Sequence, residues 1–120
     1  MVRVSNYPSK MRTYNTYYKD SKLAKRFQAK PKEGAEPNLR STYNPTIEVI
    51  VGLYQEWWSN GQLSIECTYI DGKRDGHYKE WWPNGLVAKE IYYESDVIMS
   101  YVARPMFPAG GSKSALYDVA

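Results

Sequence analysis

The chain has 120 residues but a single cysteine, a single histidine and two phenylalanines. One cysteine, Cys67, cannot close an internal disulfide, so nothing in the sequence requires an oxidising compartment. No stretch approaches the roughly 18 apolar residues that a bilayer-spanning helix needs. The opening Met1-Val-Arg-Val-Ser-Asn6 lacks the apolar centre of a secretory leader, so the protein is expected in the cytoplasm, or in a particle assembled there, and not secreted. His77 and Cys67 cannot make a zinc site between them, and as a nucleophile pair they have no motif around them to supply an orienting third group. Gly61, Gly72, Gly76 and Gly85 read as turn residues: no glycine-rich stretch precedes a helix, and no Gly-Lys-Ser/Thr occurs. These absences argue against a catalytic, metal or cofactor site.

What the chain has instead is tyrosine and tryptophan, twelve and four respectively. Such side chains carry a polar tip and suit half-buried sheet faces and interfaces better than a dry interior. Net charge is +3, but it is unevenly spread. Residues 1–40 hold ten Lys or Arg against three acids, whereas residues 41–97 hold four against nine. A basic arm thus precedes an acidic body. Attraction between the two, within or between molecules, is the simpler reading; contact of the arm with nucleic acid or another acidic surface is the sharper one.

One pattern is written twice between Gly52 and Tyr93. At an offset of 24 residues, Gly52 matches Gly76, Tyr54 matches Tyr78, Glu56 matches Glu80, and Trp57-Trp58 matches Trp81-Trp82. The correspondence continues through Asn60-Gly61 and Asn84-Gly85, Glu66 and Glu90, Tyr69 and Tyr93. A fixed period of this size marks a repeat architecture. Within each copy an aromatic run leads to Asn-Gly, a strong hairpin signal. The return segment of the first copy, Gln62 to Ile70, alternates with period two. Asp71-Gly72 and Asp75-Gly76 mark the reversal between copies. The β-branched run Ile47 to Val51 leads in, and Val97 to Val102 can add a final strand. Two such hairpins cannot cover their own sheet, and repeat stacks generally need about three units.

Before Thr46, Pro8, Pro31, Pro37 and Pro45 discourage long regular elements. Residues 12–30 admit two readings. Ser21 to Lys30 suits a short helix capped by Asp20, with Leu23 and Phe27 four apart. Alternatively, Tyr17-Tyr18-Lys19-Asp20-Ser21 can be laid on Trp57-Trp58-Ser59-Asn60-Gly61, making a decayed repeat. The organisation expected is a basic arm (1–46), a β-repeat domain (47–103, with repeats 52–75 and 76–99) and a tail (104–120). Aromatic and apolar residues spaced along both ends suit straps that pack on surfaces.

Gly-x-Tyr-x-Glu-Trp-Trp-x-Asn-Gly, an alternating strand ending in Tyr and then Asp-Gly-Lys-x-Asp-Gly resemble the short variant of the MORN repeat, which occurs in bacterial antitoxin-like proteins and in large DNA viruses of amoebae. The resemblance implies a mostly β protein: an antiparallel meander of MORN-like hairpins with extended N- and C-terminal arms, used for binding or scaffolding without catalysis. It departs from the form in eukaryotic scaffold proteins, where a Tyr-Glu-Gly opening dominates, so peripheral lipid contact is not expected.

The candidate interaction surface is Tyr54, Trp57, Trp58, Tyr78, Trp81, Trp82 and Tyr92. Neighbouring residues of a strand point to opposite faces, so each Trp pair is expected to put one ring on either side. Packing as a cross-strand ladder explains these rings as well as partner contact does. Glu56, Glu80, Glu66 and Glu90 recur with the unit, which the repeat explains better than an active site does. Tyr17, Tyr18, Lys19, Lys22, Lys25 and Arg26 form the one basic and aromatic patch with the composition to meet nucleic acid. The function expected is a non-catalytic interaction or structural component docked onto a larger assembly of other protein subunits, with a virus particle as the most concrete setting. The alternatives are an antitoxin-like binder of a partner protein and a nucleic-acid-binding accessory.

Overall fold

The computed structural model describes residues 11–104; the parts of both expected arms at 1–10 and 105–120 lie outside the described residues. The described residues contain no helix. Seven strands form one antiparallel sheet in strict sequence order: β1 Arg12–Tyr17, β2 Leu23–Pro31, β3 Glu48–Trp57, β4 Leu63–Ile70, β5 Lys73–Trp81, β6 Val87–Glu94 and β7 Val97–Ala103. The meander is as the repeat pattern implies, and it begins earlier than Thr46. Residues 12–31, where helix and hairpin competed, form the hairpin β1–β2. The helix over Ser21 to Lys30 does not form, because β3 offers β2 a full row of backbone partners from Lys25↔Glu56 to Pro31↔Glu48.

The turns explain why. At the tip of β1–β2, the Ser21 N–H donates to the Tyr18 carbonyl, the Tyr18 N–H to the Lys22 carbonyl, and the Lys22 N–H to Asp20 Oδ1. The same three bonds recur at Trp58, Gly61, Gln62 and Asn60, and again at Trp82, Gly85, Leu86 and Asn84. Each tip is a type I turn closed by a residue with positive φ: Ser21 (75°), Gly61 (91°) and Gly85 (89°). Asn60 does not itself take a positive φ. Its side chain accepts the next backbone N–H instead, the habit that makes Asx residues turn formers. The left-handed residue inserts a bulge, which shifts the register beside Thr16/Tyr17, Glu56/Trp57 and Glu80/Trp81 alike.

At the opposite end, Asp71-Gly72 (φ 48° and 85°) and Ser95-Asp96 (48° and 70°) make two-residue turns of the primed type that suits twisted hairpins. The Gly72 N–H donates to the Ile50 carbonyl and the Asp96 N–H to the Arg74 carbonyl, again 24 residues apart. Asp96, a costly residue at positive φ, is held there by the Arg74 N–H and guanidinium, which also keep its carboxyl below the usual carboxylate range.

One row of partners crosses the whole sheet on one face: Tyr14, Phe27, Tyr54, Cys67, Tyr78, Ile91 and Tyr101. Tyr14 stacks on Phe27, and Phe27 on Tyr54, at centroid separations of 5.5 and 5.6 Å. Residues 32–47 fold over the start of this row. Tyr43 meets Tyr14 and Phe27 edge-on, and with Ala29 these rings form the best buried cluster. The other face carries a polar row (Asn15, Arg26, Gln55, Glu66, Lys79, Glu90 and Val102) in which Arg26 donates to Asn15 and Gln55 to Glu66.

Ser21→Gly is expected to raise stability by about 1 kcal/mol, since an L-residue pays roughly that much in the left-handed region. Gly61→Val should lower it by more, although nothing lies within 4 Å of its added Cβ. Denaturant midpoints check both; a Gly61→Val protein with an unchanged midpoint contradicts the turn assignment.

Candidate functional site

The repeated tips bring Tyr17-Tyr18, Trp57-Trp58 and Trp81-Trp82 to the same end of the sheet, one pair per hairpin. Tyr17, Trp57 and Trp81 occupy equivalent last places in β1, β3 and β5, opposite Leu23, Leu63 and Val87. The second aromatic of each pair reaches sideways. Tyr18 Oη donates to the Trp57 carbonyl, Trp58 Nε1 to the Trp81 carbonyl (2.9 Å) and Trp82 Nε1 to the Arg104 carbonyl (3.3 Å). Asn60 Nδ2 adds a bond to the Pro83 carbonyl. Each hairpin is thereby stitched to the next by a side-chain donor on a carbonyl near the strand end. The rings of Tyr18, Trp58 and Trp82 are held by these bonds while part of each stays open to solvent, Trp58 to 37%; Tyr17 beside them is 57% exposed.

Tyr54 and Tyr78 stand elsewhere, in the row on the aromatic face, half-buried. Each donates its hydroxyl to the carboxylate two residues on: Tyr54 to Glu56, and Tyr78 to Glu80 at 2.6 Å. Burial, and then that carboxylate, push both phenols far above the ordinary value near 10. Tyr92 lies on the opposite, polar face, paired with His77 and meeting its ring edge-on at 5.2 Å. The seven residues expected as one aromatic surface are therefore divided: a margin of four Trp, two face tyrosines, and Tyr92 across the sheet. Period-two alternation carried this division, since Tyr92 is one residue from Ile91, the partner of Tyr78.

The basic patch is also divided. Lys25 and Arg26 are neighbours in a strand and point to opposite faces. Lys25 lies over the Tyr54 ring at 6.0 Å, while Arg26 is bonded to Asn15. Lys22 pairs with Asp20 at 3.8 Å, the Tyr18 hydroxyl is taken up by its stitch, and Lys19 is exposed beside the tip.

Sequence reasoning missed Glu48. Its side chain is 2% exposed beneath residues 32–47 and accepts from Tyr14 Oη, Asn38 Nδ2 and the Asn44 N–H. Three donors so placed make a buried carboxylate tenable. The signal was a lone charge in the run Ile47-Glu48-Val49-Ile50-Val51. Arg12 clamps the same segment through the Asn38 and Arg40 carbonyls. Cys67 is 3% exposed within the aromatic row, and burial pushes its thiol up to about 12. No group of three or more His, Cys, Asp or Glu residues that could hold a metal ion occurs among the described residues.

Three outcomes are expected. Trp58→Phe and Tyr18→Phe should each cost about 1 kcal/mol, the net worth of one hydrogen bond, read by denaturant melting. Below pH 10 the raised phenols of Tyr54 and Tyr78 contribute stability, which is lost as pH rises toward their folded values. Phenolate absorbance should therefore rise together with loss of the β circular-dichroism signal, and phenolate formation with the sheet intact would contradict this. A thiol reagent at neutral pH should modify Cys67 only on unfolding.

The family model described as MORN repeat variant matches residues 50–71 and 74–95, the spans of β3–β4 and β5–β6. The match does not extend to β1–β2, whose tip nevertheless repeats the same bonds. No curated protein and no solved structure matches the chain. Repeats of this kind are a non-catalytic type that generally contacts proteins or membranes. Two consecutive matches in phase with the strands show that the chain carries MORN-variant repeats over residues 50–71 and 74–95.

Proposed function

We propose that this chain is a non-catalytic protein-interaction component of a larger assembly, and that the aromatic margin Tyr17, Trp57, Trp58, Trp81 and Trp82 is its principal contact surface. The observation that carries this reading is the stitching of Trp58 and Trp82. Their indole N–H groups are satisfied internally, so the rings are presented partly open and already fixed. A partner that covers them gains apolar and aromatic contact without the entropic cost of immobilising free side chains. The other assembly subunits suit this role better than nucleic acid does, because the basic residues of β1–β2 diverge to two faces and several are paired. The virus particle suggested by the MORN resemblance is one setting for such a component, and an antitoxin-like binder uses the same margin against a single partner.

The test is recovery of the protein with its neighbours from its native assembly after cross-linking. Wild type is compared with Trp57→Gln, Trp81→Gln and, on the opposite face, Tyr92→Gln. A neighbour retained by wild type and Tyr92→Gln but lost by the two tryptophan variants supports the margin, provided all variants keep the β signal of wild type. Equal recovery by all four overturns it.

A further inference from the structure

We propose that the outer edge of β7 pairs antiparallel with β7 of a second copy, joining two sheets across a two-fold axis. The proposal is independent of the aromatic margin, which lies at the hairpin tips rather than along the last strand.

β7 is Val97-Ile-Met-Ser-Tyr-Val-Ala103, and every one of its residues is exposed. Val97, Ile98, Met99, Tyr101 and Val102 are each 45% exposed or more. One side of the strand is hydrogen-bonded to β6, and the other side has no strand neighbour among the described residues. An uncharged, proline-free, apolar edge is a template for another strand, and isolated proteins usually blunt such edges with charge, proline or a cover. β7 itself carries no charge and no proline, and no cover lies over it among the described residues.

The repeat rule says where the chain's own next strand would come from, and the sequence does not write it. Twenty-four residues after Asn84-Gly85 stand Pro108-Ala109, and 24 after Trp82 stands Met106, whose side chain has no N–H to donate. Neither the turn nor the stitch of a further hairpin is encoded. β7 stands in the place of a repeat's first half and is the last strand among the described residues.

Charge then selects the occupant. Residues 73–104, which contain β5, β6 and β7, hold five Lys or Arg and five Asp or Glu. Residues 11–32, which contain β1 and β2, hold seven Lys or Arg against one acid. Two copies that meet at β7 bring neutral ends together. Two that meet at β1 bring together two strongly basic ends, and like charges facing across a two-fold axis repel. A two-fold contact sets a strand against itself, so it favours an edge that carries no charge of its own. A neutral apolar strand also offers nothing to steer a charged partner. Two-fold pairing closes after two copies, whereas β7 against β1 of the next copy would run on as an open filament.

The test is sedimentation of the purified full chain over a wide concentration range, with Val102→Lys and Thr13→Lys. Val102 faces Glu90 on β6, so a lysine there has an acidic neighbour within the fold while placing like charges on both copies at the axis. Thr13 is exposed on β1 and serves as the control edge. The expected result is a dimer for wild type and Thr13→Lys, and a monomer with unchanged β signal for Val102→Lys. If that variant unfolds, amide exchange on wild type decides. Protection of the outer β7 amides must then rise with concentration as the dimer forms. A wild-type monomer at every concentration overturns the proposal, including one whose β7 amides are protected, which would mean that the chain's own residues 105–120 cover the edge. A dimer that survives Val102→Lys overturns it, and so does an open-ended polymer that Thr13→Lys abolishes.

Discussion

A sheet one layer thick has no second layer to bury its residues against, so its order must come from contacts made within its own plane. Here the controlling contact is the side-chain donor at each hairpin tip. Tyr18, Trp58 and Trp82 each reach the strand end of the following unit and close a bond on a backbone carbonyl. The backbone ladders set the lateral distance and the phase between hairpins, and that bond holds each tip against the next unit. The left-handed residue at the tip sets the bulge that aims the aromatic, and the bulge recurs because the turn chemistry recurs. Where glycine is replaced by Ser21, the geometry persists with its backbone at φ 75°. The tip is therefore imposed by the whole unit and not by the glycine alone.

The faces follow from this phase. With each hairpin in register with the next, Tyr14, Phe27, Tyr54, Cys67, Tyr78, Ile91 and Tyr101 fall on one line. Their rings cover one another sideways, which is how a single layer reaches near-complete burial at Cys67 and Ile91. At the β1–β3 end a short cover is added, residues 32–47, pinned by the buried carboxylate of Glu48. At the β7 end there is no corresponding cover among the described residues. Structure thus runs from a capped end, rich in aromatic packing and basic charge, to an open, neutral and apolar end. The function proposed for the margin and the pairing proposed for β7 use different parts of that layout.

Much of this was legible in the residues. The 24-residue offset gave the strands, the turns between them and the family resemblance, because turn chemistry is local and period-two alternation is local. The hairpin at 12–31 was legible only as one of two readings: Asp20-Ser21 lacks the glycine that announces a left-handed residue, and Leu23 and Phe27 also fit a helical spacing. What decided it was the row of partners that β3 supplies from 17 to 31 residues away. Glu48 was out of reach for the same reason. Its partners Tyr14, Asn38 and Asn44 converge only after the chain has folded back over the sheet. The aromatic set was recognised by residue type but not by position, since composition does not tell a ring at a strand end from one in the middle of a face.

The stitch between hairpins is tested most directly by hydrogen exchange at the four indole N–H groups, followed by nuclear magnetic resonance on the folded chain. Trp58 and Trp82 donate to carbonyls, whereas the indoles of Trp57 and Trp81 have no partner among the described residues. Two slow signals, assigned to Trp58 and Trp82, and two fast ones are predicted. Four indoles exchanging at the rate of free tryptophan would contradict the stitching between hairpins.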